Sequence, residues 1–296
     1  MTSLPKSFVA PTFEYGNAPF RLMCQKYGAD ATVVPLVNVA ALVRHADVID
    51  AWPEERNLGL QLSGPKPDEF AEAVRLSLKQ FPFIKRLDLN SGCPSIVTMR
   101  DGSGSALMRK PQTIAAIVKA MKSETDLPVS VKIRVFTDKK KTIDLASTIE
   151  QAGADFITVH GRTARQGYSS TTDWEMIRTV NESLSIPLVG NGDIKSAGEG
   201  RSRVKEGFCG SFMIGRAAMS NPRVFRDETS LTYEQKRNMF LEYVDICREH
   251  DAIALKDLKL KAVQFYRGVS GGAAIRNRMM HCKTADELIS RVESER

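Results

Sequence analysis

The residue types best suited to chemistry in this chain lie in one stretch, Leu87-Asp88-Leu89-Asn90-Ser91-Gly92-Cys93-Pro94. Leu87 and Leu89 alternate with Asp88 and Asn90, the period of a strand. Ser91, Gly92 and Pro94 then break the backbone, so Cys93 sits on a bend just past a strand end. Ser95 to Gly104, with glycines at 102 and 104, reads as a loop able to fold over it. A thiol on such a bend, beside such a loop, is placed for chemistry. The other four cysteines (24, 209, 247 and 282) fall on helix-like or apolar segments, where a buried structural thiol is the expectation. No two cysteines form a C-x-x-C pair or a zinc-like cluster with histidine, so no metal site is predicted.

Such a bend needs a scaffold. Strand candidates recur at Phe8-Val9-Ala10, Thr32-Val33-Val34, Gly59 to Leu62, Arg86 to Asn90, Val129 to Ile133, Phe156 to His160, Pro187 to Asn191 and Gly210 to Ile214. Helical stripes fall between them: Phe70, Val74 and Leu78; Ile114, Ile117, Val118 and Met121; Leu145, Ile149 and Ala152 ahead of Gly153. Eight strand–helix units in about 225 residues predict a (β/α)8 TIM barrel, whose usual length is about 250 residues. A doubly wound open sheet is the alternative, but it would carry G-x-G-x-x-G after the first strand, where Ala10-Pro11-Thr12 stands. From Tyr233 onward only helical stripes remain, first Met239, Phe240, Tyr243, Val244 and Cys247, then Leu258, Ala262, Phe265 and Tyr266. Gly271-Gly272 follows as a turn, then the basic residues Arg276, Arg278 and Lys283. The predicted organisation is a catalytic barrel over residues 1–230 and a small all-helical domain over 231–296.

Barrels keep their chemistry at the C-terminal ends of the strands. Reading just past those ends collects Pro11, Gln61, Asn90 with Cys93, Lys132 with Arg134, His160 with Arg162, Asn191-Gly192-Asp193, and Gly215-Arg216. The last two turns follow strands seven and eight, where barrels commonly hold phosphate. Glycines there let backbone N–H groups approach the oxygens, and Arg216 adds a charged donor. A net charge of +7 and a sequence pI near 9.1 suit a polyanionic partner such as nucleic acid. The first residues carry no secretory pattern, and no apolar run approaches a membrane span. Scattered, odd-numbered cysteines point to a reducing compartment, the cytoplasm.

Asn90-Ser91-Gly92-Cys93-Pro94, with Gly102, Gly104 and Leu107, resembles the N-x-G-C-P…G-x-G-x-x-L signature of the tRNA-dihydrouridine synthases. Six further blocks agree in order: Ala10-Pro11 with Pro19-Phe20-Arg21; Gln61-Leu62-Ser63-Gly64; Val131-Lys132-Ile133-Arg134; His160-Gly161-Arg162-Thr163 with Gln166, Tyr168 and Asp173-Trp174; Asn191-Gly192-Asp193-Ile194; and Met213-Ile214-Gly215-Arg216 with Asn221-Pro222. The match runs from Phe8 to Phe225, with a weaker echo at Lys261, Tyr266, Gly268 and Arg276. Three positions depart from the family's habit: Thr12 in place of Met, Leu36-Val37 in place of a Thr-Glu pair, and Phe136 in place of Gly.

The resemblance implies an enzyme that reduces uridines of tRNA to 5,6-dihydrouridine with FMN, itself reduced by NADPH. The C5–C6 bond of uracil is conjugated to the C4 carbonyl, so hydride enters at C6 and a proton must reach C5. By resemblance Cys93 is that acid, since a thiol with an unperturbed pKa of about 8.5 is mostly protonated at neutral pH. Lys132 resembles the flavin-binding lysine, a fixed cation beside N1 and O2. Pro11, Gln61, His160, Asn191, Gly192, Asp193, Gly215 and Arg216 are implied on the cofactor; Asn90, Arg134, Arg162 and Gln166 are implied on the substrate side. A target base must leave its stack to reach a barrel mouth, and the basic helical domain is the natural second grip on the RNA. A monomer that needs no metal and no membrane is expected. Two readings compete: an FMN barrel acting on a small pyrimidine, similar to dihydroorotate dehydrogenases, and a non-catalytic RNA-binding barrel. The Gly-Cys-Pro block and the basic tail disfavour the first, and the retained Cys93 and Lys132 disfavour the second.

Overall fold

A computed structural model describes residues 4–44, 46–167 and 169–294. Eight strands run along the chain: β1 (Ser7–Val9), β2 (Thr32–Asn38), β3 (Leu58–Ser63), β4 (Arg86–Ser91), β5 (Val129–Arg134), β6 (Phe156–His160), β7 (Leu188–Asn191) and β8 (Ser211–Ile214). They pair in parallel in the order β1-β8-β7-β6-β5-β4-β3-β2. The two ends of that sheet meet at Phe8 and Ala31. The Val9 N–H donates to the Ala31 carbonyl at 2.9 Å, and the Ala31 N–H donates to the Ser7 carbonyl at 3.1 Å. The sheet thereby closes on itself, and the fold is a (β/α)8 barrel followed by helices.

Closure creates two separate apolar clusters. The larger lies between the sheet and the helices, where Leu60, Leu87, Leu89 and Ile133 meet Val74, Ile117 and Ile149. The smaller, Phe8, Ala10, Ala31, Phe156, Val189 and Met213, fills the inside of the barrel. Alternation along β4 separates the two: Leu87 and Leu89 belong to the outer cluster, which leaves Arg86, Asp88 and Asn90 to the interior. Arg86 lies 4.9 Å over the Phe8 ring and donates to the Thr32 carbonyl at 2.6 Å, low in the barrel. Polar groups accumulate above it, towards the C-terminal mouth.

The helical stripes fold as expected into Pro67–Gln80, Pro111–Lys122 and Lys139–Gln151, and Gly153, at φ +95°, lets the chain turn after the third. Two segments differ from the sequence reading. β2 continues past Val34 to Asn38 through a bulge, because Pro35 has no N–H for the ladder and Leu36 takes φ +44°. The segment after Cys93 is not irregular throughout: it holds a short helix, Ile96–Arg100, and a tight turn, Gly104–Arg109.

A reciprocal cap between Thr232 and Gln235 opens the helices that follow the barrel: Tyr233–Glu249, Leu255–Phe265, Gly272–His281 and Ala285–Ser294. They are tied to the loop after β1. Asn17 Nδ2 donates to the Tyr243 hydroxyl at 2.8 Å, and buried Lys261 donates to the Tyr15 carbonyl. The Lys261 ammonium lies 4.0 Å over the Phe20 ring. Burial lowers its pKa to about 7. Between that value and the ordinary lysine range the unfolded chain binds more protons than the folded one, so stability rises with pH. Thermal melts should therefore show Tm rising from pH 7 to pH 9, and Lys261→Met should reduce that rise.

Candidate active site

Cys93 is the one cysteine among the five that is not buried. Its turn is held entirely through backbone. Asn90 Oδ1 accepts the N–H groups of Gly92 at 3.2 Å and Cys93 at 3.0 Å. Arg134 Nε donates to the Gly92 carbonyl at 2.8 Å, and the Ser105 N–H donates to the Cys93 carbonyl at 2.9 Å. Gly104, at φ +58°, passes so close that a Cβ there would meet the Cys93 carbonyl and Thr98 Cγ2, each at 2.7 Å. Among the described residues the sulfur itself meets only the Thr98 hydroxyl, at 3.7 Å.

Across the mouth, Lys132 Nζ donates to Asn191 Oδ1 at 3.2 Å, and Asn191 Nδ2 donates to the Met213 carbonyl at 2.9 Å. Burial, and then the nearby Arg134 charge, lower Lys132 to about 8. His160 is pushed down to about 2, first by burial and then by the cations Lys132, Arg134, Arg162 and Arg216 around it. It is a neutral imidazole at any working pH. Arg162 Nη1 lies 3.3 Å from His160 Nε2, and a guanidinium can only donate, so Nε2 accepts and the proton sits on Nδ1.

The turn after β7 is built on Asp193. Its Oδ2 accepts from Arg162 Nη2 at 2.6 Å and from the Thr172 N–H and hydroxyl at 3.0 Å each; its Oδ1 accepts from Arg216 Nη2 at 2.6 Å. Burial alone would raise this carboxyl, but the hydrogen bonds from Arg162 and Thr172 outweigh it and hold it below the usual carboxylate range. Gly192, at φ +129°, is required here, because a Cβ would come within 2.3 Å of Thr172 Oγ1.

Most of the residues expected at the mouth thus converge. Some do so through work the sequence did not suggest. Arg134 and Arg162 are buried and committed to carbonyls: Arg134 to Gly92 and Thr163, Arg162 to Ser170. Gln166 turns back on its own loop, where its Oε1 accepts the Thr163 N–H at 2.8 Å. Pro11 is half-buried just past β1, and Phe13, two residues on, is 64% exposed. Tyr168 lies outside the described residues. Asp88 and Thr172 were missed. The available signal for Asp88 was its alternation with two leucines, which in a closed barrel turns a polar side chain to the lumen. Phe136, the departure from glycine, lines a cleft of about 340 Å³ with Met99, Met108, Ser105, Arg109 and Arg165. Among the described residues no group of three or more His, Cys, Asp or Glu is arranged to hold a metal, and no helix is long and apolar enough to cross a membrane.

The dihydrouridine synthase (Dus) family model matches residues 8–292. The chain belongs to the dihydrouridine synthase family. A probable tRNA-dihydrouridine synthase of Aquifex aeolicus (strain VF5) is 28% identical over 301 residues, which cover 96% of this chain and 94% of that protein. The tRNA-dihydrouridine synthase B of Pasteurella multocida (strain Pm70) is 32% identical over 241 residues, 79% of this chain and 71% of that protein. A solved 2-naphthoyl-CoA reductase complex superposes with a TM-score of 0.56 at 12% identity, covering 75% of this chain and 49% of that one, a likeness of fold alone.

Dihydrouridine synthases bind FMN, and the residues present here fit it at both ends. Among the described residues Lys132 makes a single hydrogen bond, which leaves two donors of a partly buried ammonium for carbonyl or anionic flavin atoms. In the turns after β7 and β8 the N–H groups of Gly192, Asp193 and Gly215 meet no protein acceptor among the described residues, and Arg216 stands beside them. The charge of Lys132 should matter for binding. FMN affinity of this dihydrouridine synthase is expected to weaken about tenfold per pH unit above about 8, as the ammonium loses its proton. Lys132→Met should bind weakly at every pH; fluorescence titrations between pH 7 and 9.5 check both.

Proposed function

We propose that this dihydrouridine synthase reduces specific uridines of tRNA to 5,6-dihydrouridine, with FMN as bound cofactor and NADPH as its reductant. The observation that carries the reading is one half-exposed thiol and one partly buried cation facing the same barrel mouth, in a chain of this family. When bound, FMN supplies the hydride that enters C6 of uracil. Cys93 holds the proton destined for C5, and its carbonyl and N–H are pinned so that only the sulfur can move. Lys132 offers a fixed positive charge to the cofactor, with Pro11, Gln61, His160 and Asn191 around the same ring. Gly192, Asp193, Gly215 and Arg216 hold the phosphate. Asn90 has a donor to spare for the base. Arg134, Arg162 and Gln166 bound the substrate side and act by holding its loops.

The tRNA reading rests on the family and on the net charge of +7. Residues 231–296 serve as a second surface for the RNA, beside the catalytic barrel of 1–230. Five cysteines, four of them buried and none paired, suit a reducing cytoplasm, and the protein works there as a monomer. Dihydrouridine mapping of tRNA from cells with and without this protein tests the proposal. Defined positions should lose the modification without the protein, and purified protein with NADPH should restore it on unmodified tRNA. Identical maps would sink it. Turnover of a free pyrimidine in the absence of RNA would make it a small-molecule reductase instead.

A further inference from the structure

We infer that Asp88 is a positioning residue: together with the backbone N–H groups of Gly92 and Cys93 it fixes the direction of a hydrogen-bond relay through Gln61 and Asn90, and so steadies the Cys93 turn. The inference deepens the proposed reaction and rests on it for its effect on turnover. The relay is continuous. Asp88 Oδ2 accepts from Gln61 Nε2 at 2.6 Å; Gln61 Oε1 accepts from Asn90 Nδ2 at 2.7 Å; Asn90 Oδ1 accepts the N–H groups of Gly92 and Cys93. Gln61, Asp88 and Ser130 are register neighbours on β3, β4 and β5 and are all buried. Ser130 Oγ donates to Asp88 Oδ1 at 2.6 Å, so both carboxylate oxygens are engaged.

A primary amide can rotate by half a turn and exchange its oxygen for its nitrogen. Two amides in series therefore have two self-consistent directions. The backbone N–H groups of Gly92 and Cys93 demand an acceptor at one end. An ionised carboxylate, which only accepts, demands a donor at the other. Both demands select the same direction. If the group at position 88 could donate, one of those two demands would be lifted: the reverse relay would be satisfied at Gln61 and opposed only by the Gly92 and Cys93 N–H groups, against which Asn90 would turn its NH₂. In that reversed state the Cys93 turn would keep Arg134 and Ser105 on its carbonyls but lose the acceptor for its two N–H groups. In the native direction each amide also retains one N–H beyond the relay. The pair therefore offers donors to the mouth, matched to the carbonyl oxygens of flavin and uracil.

The relay's direction depends on charge. Burial raises Asp88 to about 6, while hydrogen bonds from Ser130 and Gln61 and the charges of Lys132 on β5 and Arg86 on its own strand keep it from rising further. Below that pH the carboxyl carries a proton and can donate, and its end of the relay no longer demands a donor. Because the folded pKa lies above the unfolded one, ionised Asp88 costs stability at neutral pH. A neutral isostere should not destabilise the fold.

Asp88→Asn is the test, read four ways. kcat on tRNA should fall about tenfold or more, as expected for a misplaced catalytic group. Tm should stay level or rise, which a merely structural role would not produce. Hydrogen exchange at the amides of Gly92 and Cys93 should quicken. The acid limb of the wild-type pH profile, centred near pH 6, should vanish in the variant. If the variant does not fold, the wild type still answers: exchange at those two amides, corrected for intrinsic rates, should quicken below pH 6. Full turnover with unchanged protection would overturn the inference, as would protection in the wild type that ignores pH. The exchange readout needs no tRNA, so a protein that makes no dihydrouridine would defeat the proposed function and leave this test intact.

Discussion

Cys93→Ala is expected to lower the rate of tRNA reduction by about 10³-fold, within the range that one positioned proton donor supplies. Flavin reduction and tRNA affinity should be unchanged. The substitution isolates the sulfur, because every contact that shapes the turn runs through the backbone of Gly92 and Cys93 and survives in alanine. The other titratable groups near the mouth are poor substitutes. His160 is neutral, and its ring would have to act as an acid without an acidic proton. Both oxygens of Asp88 are engaged below the mouth. Among the described residues near the mouth, Lys132, with a pKa of about 8, is the remaining titratable donor. Single-turnover mixing of pre-reduced enzyme with unmodified tRNA separates the two. A slow oxidative half-reaction assigns the proton to Cys93, and an unchanged one transfers that role to Lys132.

The barrel was legible in the sequence because its register is local. Each strand of a closed parallel sheet is buried on both faces, so Val129 to Arg134 or Phe156 to His160 announces itself without reference to its neighbours. β2 was cut short for an equally local reason: Pro35 reads as a stop, and only the paired strand reveals that the chain resumes after a bulge. The Cys93 bend and the glycine turns after β7 and β8 were legible because turn residues carry their geometry with them. What each charged side chain would touch was not. Arg162 and Arg134 look like hands for an anion in one dimension. In the fold they are buried struts, their partners supplied by loops eight to forty-two residues away. Asp88 was hidden by the opposite error. A polar residue between leucines suggests solvent on an open sheet, whereas barrel closure sends it inward among Gln61 and Ser130. The bond from Lys261 to Tyr15 joins the last helices to the first loop, a separation no local pattern encodes.

Asp193 is where that non-local bonding matters most for stability, and Asp193→Ala is expected to cost about 3 kcal/mol through the ion pair alone. The Arg162 side chain is 3% exposed, so losing its carboxylate strands a guanidinium away from water. The Arg216 side chain is 51% exposed, and its pair adds little. Backbone strain adds to the loss: Asp193 sits at φ +55°, where alanine costs about 1 kcal/mol more. Asp193→Asn tolerates that conformation and keeps one acceptor, so it should fall between wild type and alanine. The pH dependence follows from the sign of the shift. The carboxyl is held below its ordinary range, so its contribution is complete above about pH 4 and disappears only as the pH falls through the depressed value. The Tm difference between wild type and Asp193→Ala should therefore be the same at pH 5 and pH 8. FMN occupancy should drop in the variant even where the fold persists, because the Gly192-Asp193 turn would no longer be held against Thr172. A variant that melts with the wild type would mean that Arg162 satisfies itself on the Ser170 carbonyl and His160, and that the carboxylate is not what orders this turn.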